Sequence, residues 1–148
     1  MIVTRTLVAA PVAGQTTGMA RRLRDARGAS AVEFALIVPI LIVLVLGIAE
    51  FGHAFQVQGT LSAAAREGVR AMALQNDPAA ARAAVQGATS SLRPAVGNAQ
   101  IVITPTACPA TGGTTNVRLT ITYRMPYLTG FFGSGVQLSG TGVMRCNG

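Results

Sequence analysis

The residues able to do chemistry are few and scattered. The carboxylates are Asp25, Glu33, Glu50, Glu67 and Asp77. Their spacing brings no two together as a general acid and base. His53 is the sole histidine and sits just past a long apolar run, where it reads as an interfacial polar residue rather than a catalyst. The chain has no Gly-rich phosphate loop. Cys108 and Cys146 are the only cysteines, neither lies in a C-x-x-C motif, and no histidine lies near them, which argues against a metal. In an extracytoplasmic head they pair by default. That bridge closes a loop of 39 residues, worth about 4 kcal/mol in the chain-entropy model. The alternative is two unrelated thiols. These residues predict no enzyme, no catalytic or metal site, no cofactor and no small-molecule substrate.

One cluster is sharper. Gly28-Ala29-Ser30-Ala31-Val32-Glu33-Phe34 joins a basic segment to an apolar one. A glycine, four small or apolar residues, a glutamate and an aromatic arise by chance in roughly one chain in twenty of this length. Their position at the basic-to-apolar boundary is far more selective. A carboxylate inside a span costs about 2.5–3.5 kcal/mol on insertion scales, and near a helix N-terminus it recovers part of that from the macrodipole. On position alone, Glu33 could equally lie in the headgroup layer, with the span starting at Phe34.

The elements that position these residues follow from composition and pattern. The 148 residues are half hydrophobic, 5% aromatic and 11% charged, against about a quarter charged in a soluble domain. Mean hydropathy is +0.47. A soluble enzyme and a disordered chain are both poor fits. All twelve basic residues are arginine. Residues 1–28 hold five of them (Arg5, Arg21, Arg22, Arg24, Arg27) against Asp25, a net +4, and the remaining residues carry +3. A basic block ahead of an apolar run predicts topology, with residues 1–28 cytoplasmic and the C-terminal part outside. Arg21-Arg22 is a weak twin-arginine signal, because further charges separate it from the apolar run. The arginines beyond the leader, without interleaved aromatics, do not make a nucleic-acid surface.

Phe34–Ala49 is sixteen residues without a charge, and Ala29–Ala49 is twenty-one broken only by Ser30 and Glu33. About 20 helical residues cross a ~30 Å hydrocarbon core, and Pro39 is tolerated in lipid. The helical pattern continues through Phe51, Phe55, Leu61, Ala65, Val69 and Met72, predicting one helix from about Ser30 to Leu74. Asn76-Asp77-Pro78 ends it and starts a second, with Asp77 as N-cap and Pro78 as first residue. Ala81, Val85, Ala88 and Leu92 form that helix's apolar face, and Arg93-Pro94 ends it. Three strands follow, around Ile101–Thr104, Val117–Arg124 and Val136–Met144, separated by turns at Thr111–Thr114 and Gly130–Gly135. The expected fold class is α+β: a long N-terminal transmembrane and stalk helix, a second short helix and a small antiparallel sheet. The domains are residues 1–28 as leader, 29–74 as span and stalk, and 75–148 as extracytoplasmic head.

Four separated motifs then occur in order: Arg27–Ala35 (RGASAVEFA), Val38-Pro39, Gly47–Gly52 (GIAEFG) and Ala64–Arg70 (AAREGVR). They lie within Arg27–Ala73, 47 of the 148 residues, and this stretch resembles the TadE-like family of pilus-assembly proteins. The Gly28–Phe34 cluster also resembles a type IV prepilin cleavage site. The resemblance implies a minor pilin-like subunit of a tight-adherence (Flp-type) pilus with a pilin-like helix-plus-sheet plan. It implies cutting by a prepilin peptidase between Gly28 and Ala29. The implied partners are that peptidase, other pilins or pseudopilins, the assembly platform and membrane lipid. The new ammonium at Ala29 of a neighbour would pair with Glu33, so that Glu33 and Phe34 set the register between subunits.

Ala63, Ala64 and Ala65, with Gly59 and Gly68 nearby, allow close helix approach, and Glu67 and Arg70 are spaced for a modest surface interaction, so Ala64, Ala65, Arg66, Glu67, Gly68 and Arg70 are the expected helix-packing residues. This face suits packing on the protein's own sheet or on a neighbouring stalk. The first is preferred for Ala64–Arg70, the second for residues nearer the membrane. Two other readings remain open. Signal peptidase could accept Gly47-Ile48-Ala49 and release residues 50–148 as a secreted binding module, or the chain could stay uncut as a single-pass scaffold.

Overall fold

The computed structural model describes residues 17–109 and 115–146, with residues 17–27 through their backbone alone. The turn expected at Thr111–Thr114 and most of the basic leader lie outside the described residues. The chain divides into two compact units, Met1–Leu44 and Val45–Gly148.

Helix α1 spans Thr17–Gln75 and contains Pro39. It starts thirteen residues before the expected Ser30. The added segment TGMARRLRDARGA is rich in good helix formers and contains no proline, so nothing in it stops the helix. From Gly28 onward α1 is long and apolar enough to cross a membrane. In the first unit it exposes Val32, Phe34, Leu36, Ile37, Ile40 and their neighbours. A helix apolar all round, with no protein over it, suits lipid.

In the second unit, α1 turns its other chemistry inward. Val57, Leu61, Ala64, Ala65, Val69, Met72 and Ala73 are buried. Phe51 and Phe55, expected on the same face, are instead 71% and 75% exposed. At about 100° per residue they lie roughly 80–120° around the helix from Leu61, whereas Glu50, Ala54 and Val57 lie within about 40° of it. The inward stripe is therefore Glu50–Ala54–Val57–Leu61, with a carboxylate at its membrane end.

Asn76 ends α1 in the left-handed region at φ 51°, and its backbone N–H donates to Met72 O at 2.9 Å. Its side-chain amide grips the backbone of Cys108 from both sides, donating to the carbonyl at 3.2 Å and accepting from the N–H at 2.6 Å. Helix α2, Pro78–Ala88, has Asp77 as N-cap, whose carboxylate accepts from Ala79 N at 2.8 Å. It ends four residues before Leu92. Thr89 caps it, its backbone N–H and its hydroxyl both donating to Val85 O, at 2.9 and 2.8 Å. Ala81 and Val85 are its buried face and Ala88 is exposed, so Leu92 reaches the core from the following loop.

Strands β1 (Ile101–Thr104), β2 (Asn116–Met125) and β3 (Val136–Arg145) form an antiparallel sheet in the order β1-β2-β3. The period-2 alternation turns Val117, Leu119, Ile121, Tyr123 and Met125 into the core. The fold is thus α+β, a long N-terminal helix, a short helix and a three-stranded sheet. Cys108 and Cys146 are joined as a disulfide across the end of the sheet.

Glycine decides how closely α1 meets β3. A Cβ on Gly140 would lie 2.6 Å from the carbonyl carbon of Leu61, and one on Gly142 would lie 2.8 Å from that of Ala65. The two glycines share the inward face of β3 and let the helix backbone rest on the strand backbone. Gln58 adds a bond from its amide to Ser139 O at 2.8 Å.

Candidate functional site

The cluster chosen from sequence falls in the first unit. Gly28, Ala29, Glu33 and Phe34 are all exposed along α1. Gly28 is an interior helical residue, and a Cβ added to it would meet no neighbouring atom within 4 Å. A glycine in a helix interior destabilises it by about 0.5–1 kcal/mol relative to alanine. The Gly28–Ala29 bond is therefore accessible and lies in a weakened turn.

The Ala64–Arg70 segment splits by face. Ala64, Ala65 and Gly68 are buried, whereas Arg66, Glu67 and Arg70 are exposed. A Cβ on Gly68 would meet Val85 Cγ2 at 2.5 Å and Leu119 Cδ1 at 2.7 Å. This glycine is where α1, α2 and the sheet converge. Among the described residues, Glu67 and Arg70 form no ion pair with each other. The small residues of this motif thus serve the protein's own core, and its charged residues remain available to other molecules.

The site that sequence reasoning missed is Glu50. It is only 4% exposed, and Glu50 and Thr89 are the buried polar side chains among the described residues. Its carboxylate accepts three hydrogen bonds from the β2–β3 loop: Leu128 N at 3.0 Å, Thr129 N at 2.8 Å and Thr129 Oγ1 at 2.9 Å. Burial pushes this carboxyl up, but those three donors and the nearby His53 outweigh it and hold the group below its ordinary value. The residue immediately after the apolar run thus becomes a fixed anion that staples the loop Pro126–Gly135 to α1. Its motif, GIAEFG, is visible in the sequence. Its partners are not, because they lie 78 and 79 residues away.

A cavity of about 310 Å³ lies between α1 and this loop, lined by Gly47, Glu50, Phe51, Ala54, Tyr127 and Phe132, with Val136 and Leu138 from β3. Tyr127 and Phe132 make an edge-to-face contact at 6.4 Å, as do Phe131 and Phe132 at 5.8 Å. A second cavity holds His53 with Arg93 and Tyr123. Ser91 also lines it, and no hydrogen bond links that hydroxyl to His53 among the described residues. No group of three or more His, Cys, Asp or Glu that could hold a metal occurs among the described residues.

Comparison with known proteins adds one finding. Residues 28–70 match the family model described as TadE-like protein. The match opens on Gly28, closes on Arg70 and covers under a third of the chain. No curated protein and no solved structure matches the sequence.

Proposed function

From a TadE-like segment at residues 28–70, which fits a protein associated with a tight-adherence pilus, we propose that this chain is a minor pilin-like structural subunit. It is matured by a prepilin peptidase at Gly28–Ala29 and carried in the cytoplasmic membrane with its head outside. The observation that carries the reading is the start of the match on Gly28, at the boundary where the exposed apolar run of α1 begins. Cleavage there frees the Ala29 ammonium four residues before Glu33. In an assembly, Glu33 of one subunit accepts the ammonium of the next, which offsets the cost of holding each charge in a low-dielectric layer. Phe34 packs beside it. The exposed Arg66, Glu67 and Arg70 supply polar contacts to neighbouring subunits or to the assembly platform.

The hold of Glu50 on the β2–β3 loop supports this reading over release by signal peptidase. Release at Ala49 would place a new terminus on the residue that holds the β2–β3 loop. The mature N-terminus tests the proposal. Sequencing should find Ala29; Glu50 would indicate a released module, and an intact start would indicate an uncut scaffold. Gly28→Ala should retain a protein about 28 residues heavier, because the peptidase must approach the backbone at that position.

A further inference from the structure

The β2–β3 loop has a composition unlike the rest of the head. Residues 126–135 read PYLTGFFGSG, with no charge. The chain has seven aromatic residues, five Phe and two Tyr. Tyr127, Phe131 and Phe132 lie in this loop, and Phe51 and Phe55 lie on the adjacent turns of α1. Leu128 and Phe131 are 61% and 68% exposed, and Phe132 is nearly half exposed. A head that buries Leu119, Ile121 and Met125 completely has left its largest apolar side chains bare at one place.

That place is fixed relative to the last residues of the apolar run, residues 45–49, which belong to the same unit. Glu50 follows its last residue, and the Cα–Cβ bond of a helical residue tilts toward the helix N-terminus. The Glu50 carboxylate therefore leans back along the run as it holds Leu128 and Thr129. Gly47, inside the run, lines the same cavity as Tyr127 and Phe132. The loop thus overlaps the last turn of the apolar segment. Tyr concentrates at the membrane–water boundary, where its apolar ring and polar tip are both satisfied, and Phe and Leu of interfacial segments bury into the headgroup–acyl boundary beside it. Glu50 takes up the backbone N–H groups of Leu128 and Thr129 and the Thr129 hydroxyl, donors that would otherwise need water where it becomes scarce.

We propose that the β2–β3 loop is a second membrane contact, in which Leu128, Phe131 and Phe132 enter the interfacial layer of the leaflet on the head's side and fix the head against the lipid surface. The occupant is lipid rather than a second copy, because the patch is continuous, through Gly47 and Phe51 of the shared cavity, with the end of the apolar run. The contact rests on the reading of Ala29–Ala49 as a span.

The chain contains no Trp, so single tryptophans report without background. Full-length protein carrying Phe131→Trp, Val143→Trp or Leu36→Trp is reconstituted into phosphatidylcholine–phosphatidylglycerol vesicles, with or without bromine on the acyl chains near the headgroup. Leu36→Trp tests the span, and Val143→Trp reports an exposed position on β3. The expected result is blue-shifted emission at position 131 and bromine quenching approaching that at position 36, with position 143 unquenched. Quenching at 36 without quenching at 131 overturns the membrane contact and leaves the span intact. No quenching at 36 overturns the span itself. A blue shift at 131 that is insensitive to bromine and disappears as protein is diluted in lipid assigns the patch to a second copy and overturns the proposal. Phe131→Ser with Phe132→Ser should free the head, seen as a rise in trypsin cleavage at Arg124 in vesicles, with no change in detergent.

Discussion

Alanine at Gly140 or Gly142 should be more damaging than its single added methyl group suggests. The new Cβ would sit 2.6 Å from the Leu61 carbonyl carbon at Gly140 and 2.8 Å from that of Ala65 at Gly142, against 3.4–4 Å for ordinary contact. The obstacle is helix backbone, which cannot rotate away as a side chain does. Helix α1 must retreat from β3 by at least about 0.6–0.8 Å, the difference between these distances and the ordinary one, because the carbonyl oxygens of Leu61 and Ala65 lie closer still. A gap of 0.5–1 Å forfeits a quarter to a half of the dispersion energy of every contact across it. Leu61, Ala65 and Val69 all lie across this interface. The upper part of the overpacking range, about 2–3 kcal/mol for each variant, follows. For a unit of this size that lowers Tm by roughly 10 °C or more. The double variant should cost clearly less than the sum of the two, because one retreat of the helix relieves both collisions. Gly87→Ala, an α2 position with nothing within 4 Å of the added carbon, should be neutral or stabilising by up to about 1 kcal/mol. The assay is thermal unfolding of the full chain in detergent, followed by circular dichroism with the disulfide intact. Single variants within about 0.5 kcal/mol of the parent, or strict additivity in the double, would refute backbone-on-backbone packing as the reason for these glycines.

The Glu50 staple should depend on pH. Its carboxyl lies below the ordinary value in the folded protein, so its contribution is complete above the usual carboxylate range and is lost as pH falls through the lowered value. The protection factors of the Leu128 and Thr129 amides, measured against the intrinsic exchange rate at each pH, should fall on acidification, and Glu50→Gln should lower them at neutral pH while flattening their pH dependence. Reduction of Cys108–Cys146, bridged across 38 residues of sequence, should cost about 4 kcal/mol, measured as the difference between oxidised and reduced denaturation midpoints. Recovery of pilus partners from membranes should fall in the order wild type, Glu33→Ala, Glu33→Lys, at equal amounts of each variant. Equal recovery by all three would remove Glu33 from assembly.

Local signals were legible in the sequence and long-range ones were not. The alternation from Val117 to Arg124 specified β2 and its buried face, because a period of two leaves no second choice. Asp77-Pro78 marked the start of α2 because capping is a property of adjacent residues. The face of α1 was only half legible. Phe51 and Phe55 look like core by type, but the inward stripe is set by the glycines of β3 that admit the helix, and these lie about 80 residues later. Gly140 and Gly142 stand two apart in the expected third strand and so share a face by its period, but nothing local marks that face as the seat of a helix. Glu50 was the largest omission. Nothing local distinguishes it from a headgroup-layer carboxylate, and its role exists only once the β2–β3 loop has closed over it.

That closure has an order imposed by synthesis. Glu50 leaves the ribosome 78 residues before Leu128, and at ~5–20 residues per second the interval is roughly 4–16 s. For those seconds the anion at the edge of the apolar run has none of its final donors, and the inward stripe of α1 has no sheet to cover it. The stripe is suited to that wait. Ala54, Val57, Leu61, Ala64, Ala65 and Gly68 are mostly small, so the nascent helix presents less apolar area than a stripe of leucines would. The bulky partners, Leu119, Ile121, Tyr123 and Met125, sit on β2 and are made almost last. Large side chains on the late element and small ones on the early element shorten the time during which the growing chain is adhesive.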